Sequence, residues 1–277
     1  DISIAGNLNF LGKQYTMFFN GDAMGKSMQG AGGALVIGSV VNSIMARSAA
    51  NKKVITKDPE RWLKETFAEI QNVMEAFDGS MLVSMILGLV DNQNGFCYYI
   101  NAEHPFAVLY RDGKASFLET KSFYRKLGTT HIQGGIVVDT FQILPGDVLL
   151  IGSDGRDDIS ISNGTDGTRV INENENLFLG VVEISDADLN RIYENLLKQG
   201  EITDDLSLLR LEYIGSPIHK KSLSNVEKKL IHTSRELQKQ GNNQKAIDVL
   251  EQANMLNPDH PDIIREKMKV YLNTKSY

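Results

Sequence analysis

The stretch Phe18-Phe19-Asn20-Gly21-Asp22-Ala23-Met24-Gly25 runs from apolar, strand-forming residues into an acidic turn flanked by glycine. Two later stretches repeat the pattern, Leu149-Leu150-Ile151-Gly152-Ser153-Asp154-Gly155 and Thr203-Asp204-Asp205-Leu206-Ser207-Leu208-Leu209. A carboxylate at a strand end beside glycine can be aimed by a rigid sheet without steric cover from its neighbours. If the three strands end at one place, Asp22, Asp154 and Asp204 converge. Three converging carboxylates make an oxygen site for hard divalent cations.

Outward from these stretches the elements follow a consistent order. Residues 15–20 read as a strand leading into the acidic loop, and a helix follows over 27–50. In that helix the run Gly30-Ala31-Gly32-Gly33-Ala34-Leu35-Val36-Ile37-Gly38 is small enough to lie close against a neighbour. A second helix starts at Lys57-Asp58-Pro59-Glu60, with Asp58 as N-cap and Pro59 at the first helical position. It carries Trp62, Leu63, Phe67, Ile70, Val73, Met74 and Phe77 on one face. Strands at 81–90, 96–101, 106–110 and 115–118 are separated by Asp91-Asn92-Gln93-Asn94-Gly95 and Arg111-Asp112-Gly113, turns that join antiparallel neighbours. Further strands are expected at 135–143 and, after Pro145-Gly146-Asp147, at 148–151. A helix over 186–198 precedes a last strand at 206–213. The expected fold class is α+β, a layered sandwich of antiparallel sheets.

Composition narrows the function. With 277 residues, 42% of them hydrophobic and 23% charged, the chain can build one large core and a small accessory module. The 29 basic and 35 acidic residues give a net charge of -6, with no Lys/Arg cluster interleaved with aromatics, so nucleic-acid binding has no support. The single cysteine, Cys97, lies in the alternating run Phe96-Cys97-Tyr98-Tyr99-Ile100, which excludes a disulfide and a cysteine metal site and fits a reducing cytoplasm. No apolar run is expected to reach the ~18 residues of a membrane span. The N-terminus has neither an initiator Met nor a signal pattern, so the chain reads as part of a longer protein that starts within a strand at Asp1-Ile2-Ser3-Ile4.

After Gly215-Ser216-Pro217 the composition changes, and residues 222–277 read as a separate helical module. Ala246, Leu250, Ala253 and Pro258 match the small, large, small and proline positions of the tetratricopeptide (TPR) repeat, which puts the repeat start near Glu227 and a following helix at Pro261. A generic amphipathic hairpin is the alternative, since Ser234 stands where Gly or Ala is usual. One repeat cannot bury its own face, so the tail should pack on the first domain, on another copy or on further repeats.

Four motifs in order carry a family resemblance: Gly21-Asp22-Ala23-Met24-Gly25-Lys26, Asn101-Ala102-Glu103-His104-Pro105, Leu144-Pro145-Gly146-Asp147-Val148-Leu149-Leu150-Ile151-Gly152-Ser153-Asp154-Gly155, and Asp204-Asp205-Leu206-Ser207-Leu208. Residues 1–214 resemble the SpoIIE/RsbU branch of the metal-dependent PPM serine/threonine phosphatases. The resemblance implies a four-layer αββα sandwich holding two Mn²⁺ or Mg²⁺ ions at one edge of its central sheets. Cations roughly 3.5–4 Å apart can activate a water and clamp phosphoryl oxygens during in-line attack, with no protein nucleophile. Carried over by motif, Asp22 bridges the metals, the Ala23 carbonyl ligates one, and Asp154 and Asp204 complete the other. Asp205 is the weaker member of its pair. Where the family has a Gly-Asp on the first strand, this chain has Gly6-Asn7, so Asn7 is expected to make a weaker second site. Asp1 lies too far back in sequence to be an obvious replacement.

Three other residues are candidates for substrate binding. Lys26 at the helix start could attract the phosphoryl group, His104 could protonate the leaving alkoxide, and Arg156 could touch phosphate or pair with Asp157 or Asp158. The segment Gly21-Asp22-Ala23-Met24-Gly25-Lys26-Ser27 is not a P-loop, because it is one residue short between its glycines and Asp22 would repel a triphosphate. The expected activity is thus hydrolysis of phosphoserine or phosphothreonine in a phosphoprotein. The resemblance implies a bacterial regulatory setting, with an antagonist of an anti-sigma factor as substrate and control by attached sensory or dimerising segments, a homodimer among them. The alternative is a weak or inactive pseudophosphatase that binds a phosphoprotein or recruits a partner through its TPR-like tail. Asn7 separates the two readings.

Overall fold

The computed structural model describes residues 1–25, 28–50, 57–119, 124–130, 135–163, 169–174, 176–215, 223–257, 262–263, 266–267 and 269–270. They form two compact units, Asp1–Gly215 and Ser216–Tyr277. In chain order the first unit contains β1 (Ile2–Phe10), β2 (Lys13–Ala23), α1 (Met28–Ala50), α2 (Pro59–Glu75), β3 (Val83–Asp91), β4 (Phe96–Ala102), β5 (Ala107–Arg111), β6 (Lys114–Leu118), β7 (Asp139–Gln142) and β8 (Val148–Gly152). It continues with β9 (Ile159–Asn163), β10 (Arg169–Ile171), α3 (Leu177–Ile184), α4 (Leu189–Gln199), β11 (Glu201–Ile202) and β12 (Leu208–Glu212).

Two antiparallel sheets, ordered β1-β2-β3-β4-β7 and β12-β8-β5-β6, carry the fold, and β10-β9-β11 form a small third sheet. The pleat of each strand sorts its side chains between two cores. On β2 and β3, Met17, Phe19, Met85, Leu87 and Leu89 point outward, where α1 and α2 cover them with Ile37, Val41, Leu63, Phe67, Ile70 and Met74. The alternate residues Phe18, Ile86 and Val90 face the second sheet and pack with Leu149, Ile151 and Tyr213. Behind that sheet, Val148 and Leu150 meet Phe178, Val181 and Val182 of α3 and Ile192 and Leu196 of α4. The layers run α, β, β, α, as expected from sequence.

Several elements differ from the sequence reading. The strand β2 extends through Asp22 to Ala23 rather than ending at 20, because it stays paired with β3 down to Ala23 opposite Val83. The helix α3 and the small sheet were not anticipated; Leu-Phe-Leu-Gly-Val-Val-Glu-Ile is apolar almost throughout and shows neither period clearly. Contrary to expectation, Gly30–Ala50 has the length and composition of a membrane span. Within it Ile37, Val41 and Ile44 are buried in the core shared with the first sheet.

In the second unit, α5 (Asn225–Lys239) starts with a capping box between Ser224 and Glu227, and α6 (Asn243–Leu256) follows. Ile231, Ala246, Ile247, Leu250 and Ala253 bury together with Ile263 and Val270. Pro258 and Pro261, on which the TPR alignment also relies, lie outside the described residues.

Toward one end, the space between the main sheets turns from apolar to polar. Asn20, two residues beyond Phe18 on the same face, is fully buried. Its Oδ1 lies 2.7 Å from His104 Nε2, and its Nδ2 donates to Ser3 Oγ at 2.6 Å and to Ser207 Oγ at 2.9 Å. With Nε2 donating to that amide oxygen, His104 Nδ1 accepts from Ser84 Oγ at 2.9 Å. Ser207 N–H donates to Ser153 Oγ at 2.9 Å, and Ser153 Oγ donates to the Asp205 carbonyl at 3.1 Å. Asn101 closes the group by bonding both the N–H and the carbonyl of His104. Burial, followed by the charges of Arg156 and Lys126, lowers the His104 pKa to about 3.

Two expectations follow. The Cβ position of Gly33 lies 2.7 Å from Ala23 Cβ, whereas that of Gly32 meets only the end of Met81 at 3.9 Å. Gly32→Ala should therefore stabilise the domain by about 0.5–1 kcal/mol through helix propensity, while Gly33→Leu destabilises it by about 1–3 kcal/mol through overpacking. Urea midpoints check this, and a raised midpoint for both variants contradicts the close approach of α1 to β2. For His104→Ala, each buried group left unpaired costs about 1–3 kcal/mol. Because the folded pKa is depressed to about 3 from about 6.5 in the unfolded chain, the His104 contribution is complete above about pH 6.5 and is lost as pH falls toward 3. The stability gap between wild type and His104→Ala should narrow by roughly 2 kcal/mol between pH 7 and pH 5. A gap that is constant with pH rules out a neutral, buried His104.

Candidate metal centre

Three strands carry the polar column outward into carboxylates. On β2 the face that presents Phe18 and Asn20 ends in Asp22, half-buried and opposite Ser84 of β3. On β8 Leu149 and Ile151 lead to the buried Ser153, and Asp154 then opens a single turn of 3-10 helix over Asp154–Arg156. Before β12, Ser207 follows the pair Asp204-Asp205. Asn20, Ser153 and Ser207 are hydrogen-bonded in one group, so the three carboxylate-bearing segments are tied together just behind their acidic ends.

Carboxylate oxygens of Asp154, Asp158 and Asp204 lie within 4.8 Å of one another. Asp158 N–H donates to the Asp154 carbonyl at 3.0 Å, and the Asp158 carbonyl accepts from both Thr203 N–H at 3.0 Å and Thr203 Oγ1 at 2.9 Å. These bonds fasten the turn after β8 to the loop before β12. Gly155 makes the approach possible, since a Cβ there would sit 2.3 Å from the Asp205 carbonyl oxygen. Asp22 belongs to the same electrostatic group. Burial raises its pKa from the ordinary value, Asp204 and Asp205 push it further, and the N-terminal ammonium and Lys126 act against them. Burial likewise raises Asp154, with Asp22, Asp158 and Asp204 adding to the effect.

The donor set is suited to a hard divalent cation. Carboxylates held this close repel one another, and a cation bound between them removes the repulsion. The chemistry of the ligands fits Mg²⁺ or Mn²⁺ better than a softer metal.

Asp154 and Asp204 lie together with Asp158, and Asp22 is near enough to act on both electrostatically, with Ala23 next to it at the end of β2. Asp205 is exposed and uses its backbone to hold Ser153. Lys26 lies outside the described residues. Arg156 is buried: its Nε pairs with Asp157 Oδ2 at 3.1 Å, its Nη2 donates to the Phe106 carbonyl at 2.8 Å, and its guanidinium stacks 4.8 Å from the Phe178 ring. It is thus engaged within the second sheet's core. His104 is spent on the polar column with both ring nitrogens bonded.

The expectation for Asn7 is corrected. Asn7 is exposed and pairs with Thr16, whereas Ile2 pairs with Gly21, so Asn7 stands several residues along β1 from the level of Asp22. The residue level with Asp22 is Asp1, whose Oδ2 is buried without a hydrogen-bond partner among the described residues. Leu11 and Gly12, both with positive φ, form the two-residue turn of this hairpin, and counting back from it would have found Asp1. Asp158 was missed as well, and its signal was the spacing of four from Asp154 across one helical turn.

The family description Stage II sporulation protein E (SpoIIE) matches residues 12–214. No curated protein matches the chain. Among solved structures, the chain is similar to the RsbU and RsbW domains of a Mycobacterium tuberculosis protein, with a TM-score of 0.55, 17% identity, and coverage of 94% of this chain and 72% of that one. It is also similar to the S. agalactiae serine/threonine phosphatase, with a TM-score of 0.53 and 10% identity over 76% of this chain and 92% of that one. The SiaA-PP2C domain of Pseudomonas aeruginosa gives a TM-score of 0.52 and 16% identity over 76% and 80%. These likenesses are likenesses of fold. With its αββα layers, its acidic edge and the match over residues 12–214, the chain belongs to the SpoIIE family of PPM-type phosphatase domains.

Proposed function

We propose that residues 1–214 form a Mn²⁺- or Mg²⁺-dependent protein phosphatase acting on phosphoserine or phosphothreonine. The observation that supports this most directly is the convergence of Asp22, Asp154, Asp158 and Asp204 on one edge, with Asp1 level with Asp22. Two divalent cations bound there would supply an activated water and neutralise phosphoryl charge. Asp22 would be shared between the two ions, with the Ala23 carbonyl and Asp1 serving one and Asp154, Asp158 and Asp204 the other. Asp1 takes the part first given to Asn7. The column of Asn20, Ser84 and His104 holds these ligands in place and keeps His104 neutral, so His104 is not the acid for the leaving group.

A pseudophosphatase was the alternative because Asn7 carries no charge. Asn7 lies away from the cluster, so that ground is removed. The substrate class is a phosphoprotein, and the family resemblance points to an antagonist of an anti-sigma factor in a bacterial cytoplasm. Residues 222–277 would serve as a TPR-like module for a protein partner or a second copy.

Asp22→Asn, Asp154→Asn and Asp204→Asn should each lower Mn²⁺-stimulated phosphopeptide hydrolysis by orders of magnitude, because each removes ligand charge from the ions that drive the reaction. Asp1→Asn should raise the Mn²⁺ concentration needed for half-maximal rate, and Asn7→Asp should leave it unchanged. Wild-type rates in all three of the first variants refute the metal mechanism, and a lowered Mn²⁺ requirement in Asn7→Asp restores Asn7 to the site.

A further inference from the structure

Besides the two metal ions, a cationic side chain can hold the substrate's phosphoryl group, and the cations picked out from sequence do not provide one among the described residues. Arg156 and His104 are held in structural contacts. The backbone of Lys126 is placed well for the task. Leu127 and Val83 exchange backbone hydrogen bonds, Leu127 N–H to Val83 carbonyl at 2.8 Å and Val83 N–H to Leu127 carbonyl at 3.1 Å. The bridge is antiparallel and continues the first sheet beyond the end of β4. Leu127 packs with Val83 and Ala23 in the core under α1 and α2. Its neighbour Lys126 therefore falls on the opposite face, in the row that holds Ser84 and, one strand further, Asp22. Gly128 fixes the exit of the segment, since it has φ +87° and a Cβ there would sit 2.4 Å from the Met81 carbonyl oxygen.

Two strand spacings separate Lys126 from Asp22, about 10 Å between backbones, so an extended lysine can reach a group seated beside Asp22. Lys126 is half-buried and makes no ion pair with another described residue. We propose that Lys126 is a substrate-binding residue whose ammonium holds a non-bridging oxygen of the phosphoryl group and of the phosphate product. This rests on the phosphatase reading and adds to it a protein cation that selects a dianionic phosphomonoester. In keeping with that position, the Lys126 charge acts to lower the pKa values of both Asp22 and Asp154. Lysine binds phosphate as a compact point charge with three donors and without a fixed geometry, so arginine should serve in part.

The test compares wild type, Lys126→Gln and Lys126→Arg for phosphopeptide KM and kcat, inhibition by inorganic phosphate, and Mn²⁺ affinity by calorimetry. Lys126→Gln should weaken inhibition by inorganic phosphate and raise KM by roughly ten- to a hundredfold, the loss of one charge-assisted contact. Mn²⁺ affinity should hold or rise, since a positive charge near the ligands is removed, the thermal midpoint should stay near wild type, and Lys126→Arg should recover much of the loss. If wild type is active and Lys126→Gln is inhibited by phosphate as strongly as wild type, the inference is overturned, whatever happens to its Mn²⁺ affinity. If wild type neither binds Mn²⁺ nor hydrolyses the peptide, the phosphatase reading fails and takes the inference with it.

Discussion

The hydrogen bond between Asn20 and His104 is the joint on which the acidic edge depends. Asn20 reaches β1 through Ser3, the segment after β4 through His104, and the second sheet through Ser207. A buried amide and imidazole are favourable only while their partners are in place, because unpaired polar groups in a low-dielectric interior are penalised. Sliding one sheet against the other would break several of these bonds at once. The column thus gives two apolar sheets a single register at the end where register matters.

Placed beyond that joint, the carboxylates are held by backbone rather than by their own interactions. Asp154 and Asp158 share a turn fastened to Thr203, and Gly155 lets that turn touch the Asp204-Asp205 loop. The raised pKa values of Asp22 and Asp154 express what this arrangement costs without a cation, first through burial and then through mutual repulsion. A fold that imposes such repulsion stores a preference for positive charge at this spot. Divalent cations would satisfy it from within, and the proposed role of Lys126 would add a charge from the side of β3.

Much of this was legible in the chain because strand alternation carries the same message as the structure. Phe18, Asn20 and Asp22 lie on one face, as do Leu149, Ile151 and Ser153, so the passage from apolar to polar to acidic can be read two residues at a time. The capped start of α2 at Asp58 and Pro59 was equally plain. Failures came where information was non-local. Asn7 was chosen by matching a short motif, whereas the register set by the turn at Leu11 and Gly12 selects Asp1. Lys126 belongs to a segment joined to β3 and β4 by two isolated bridges, Leu127 to Val83 and Tyr124 to Ala102, which no local pattern announces. His104 was read as a candidate acid because its burial, and hence its depressed pKa, depends on two sheets meeting.

Anomalous diffraction from crystals soaked in Mn²⁺ tests the central claim most directly. Two Mn²⁺ ions should appear sharing Asp22, one also bound by Asp154, Asp158 and Asp204 and the other by Asp1. Well-ordered carboxylates at this edge with no Mn²⁺ bound at saturating concentration, or with the ions at Asn7 instead, would contradict it.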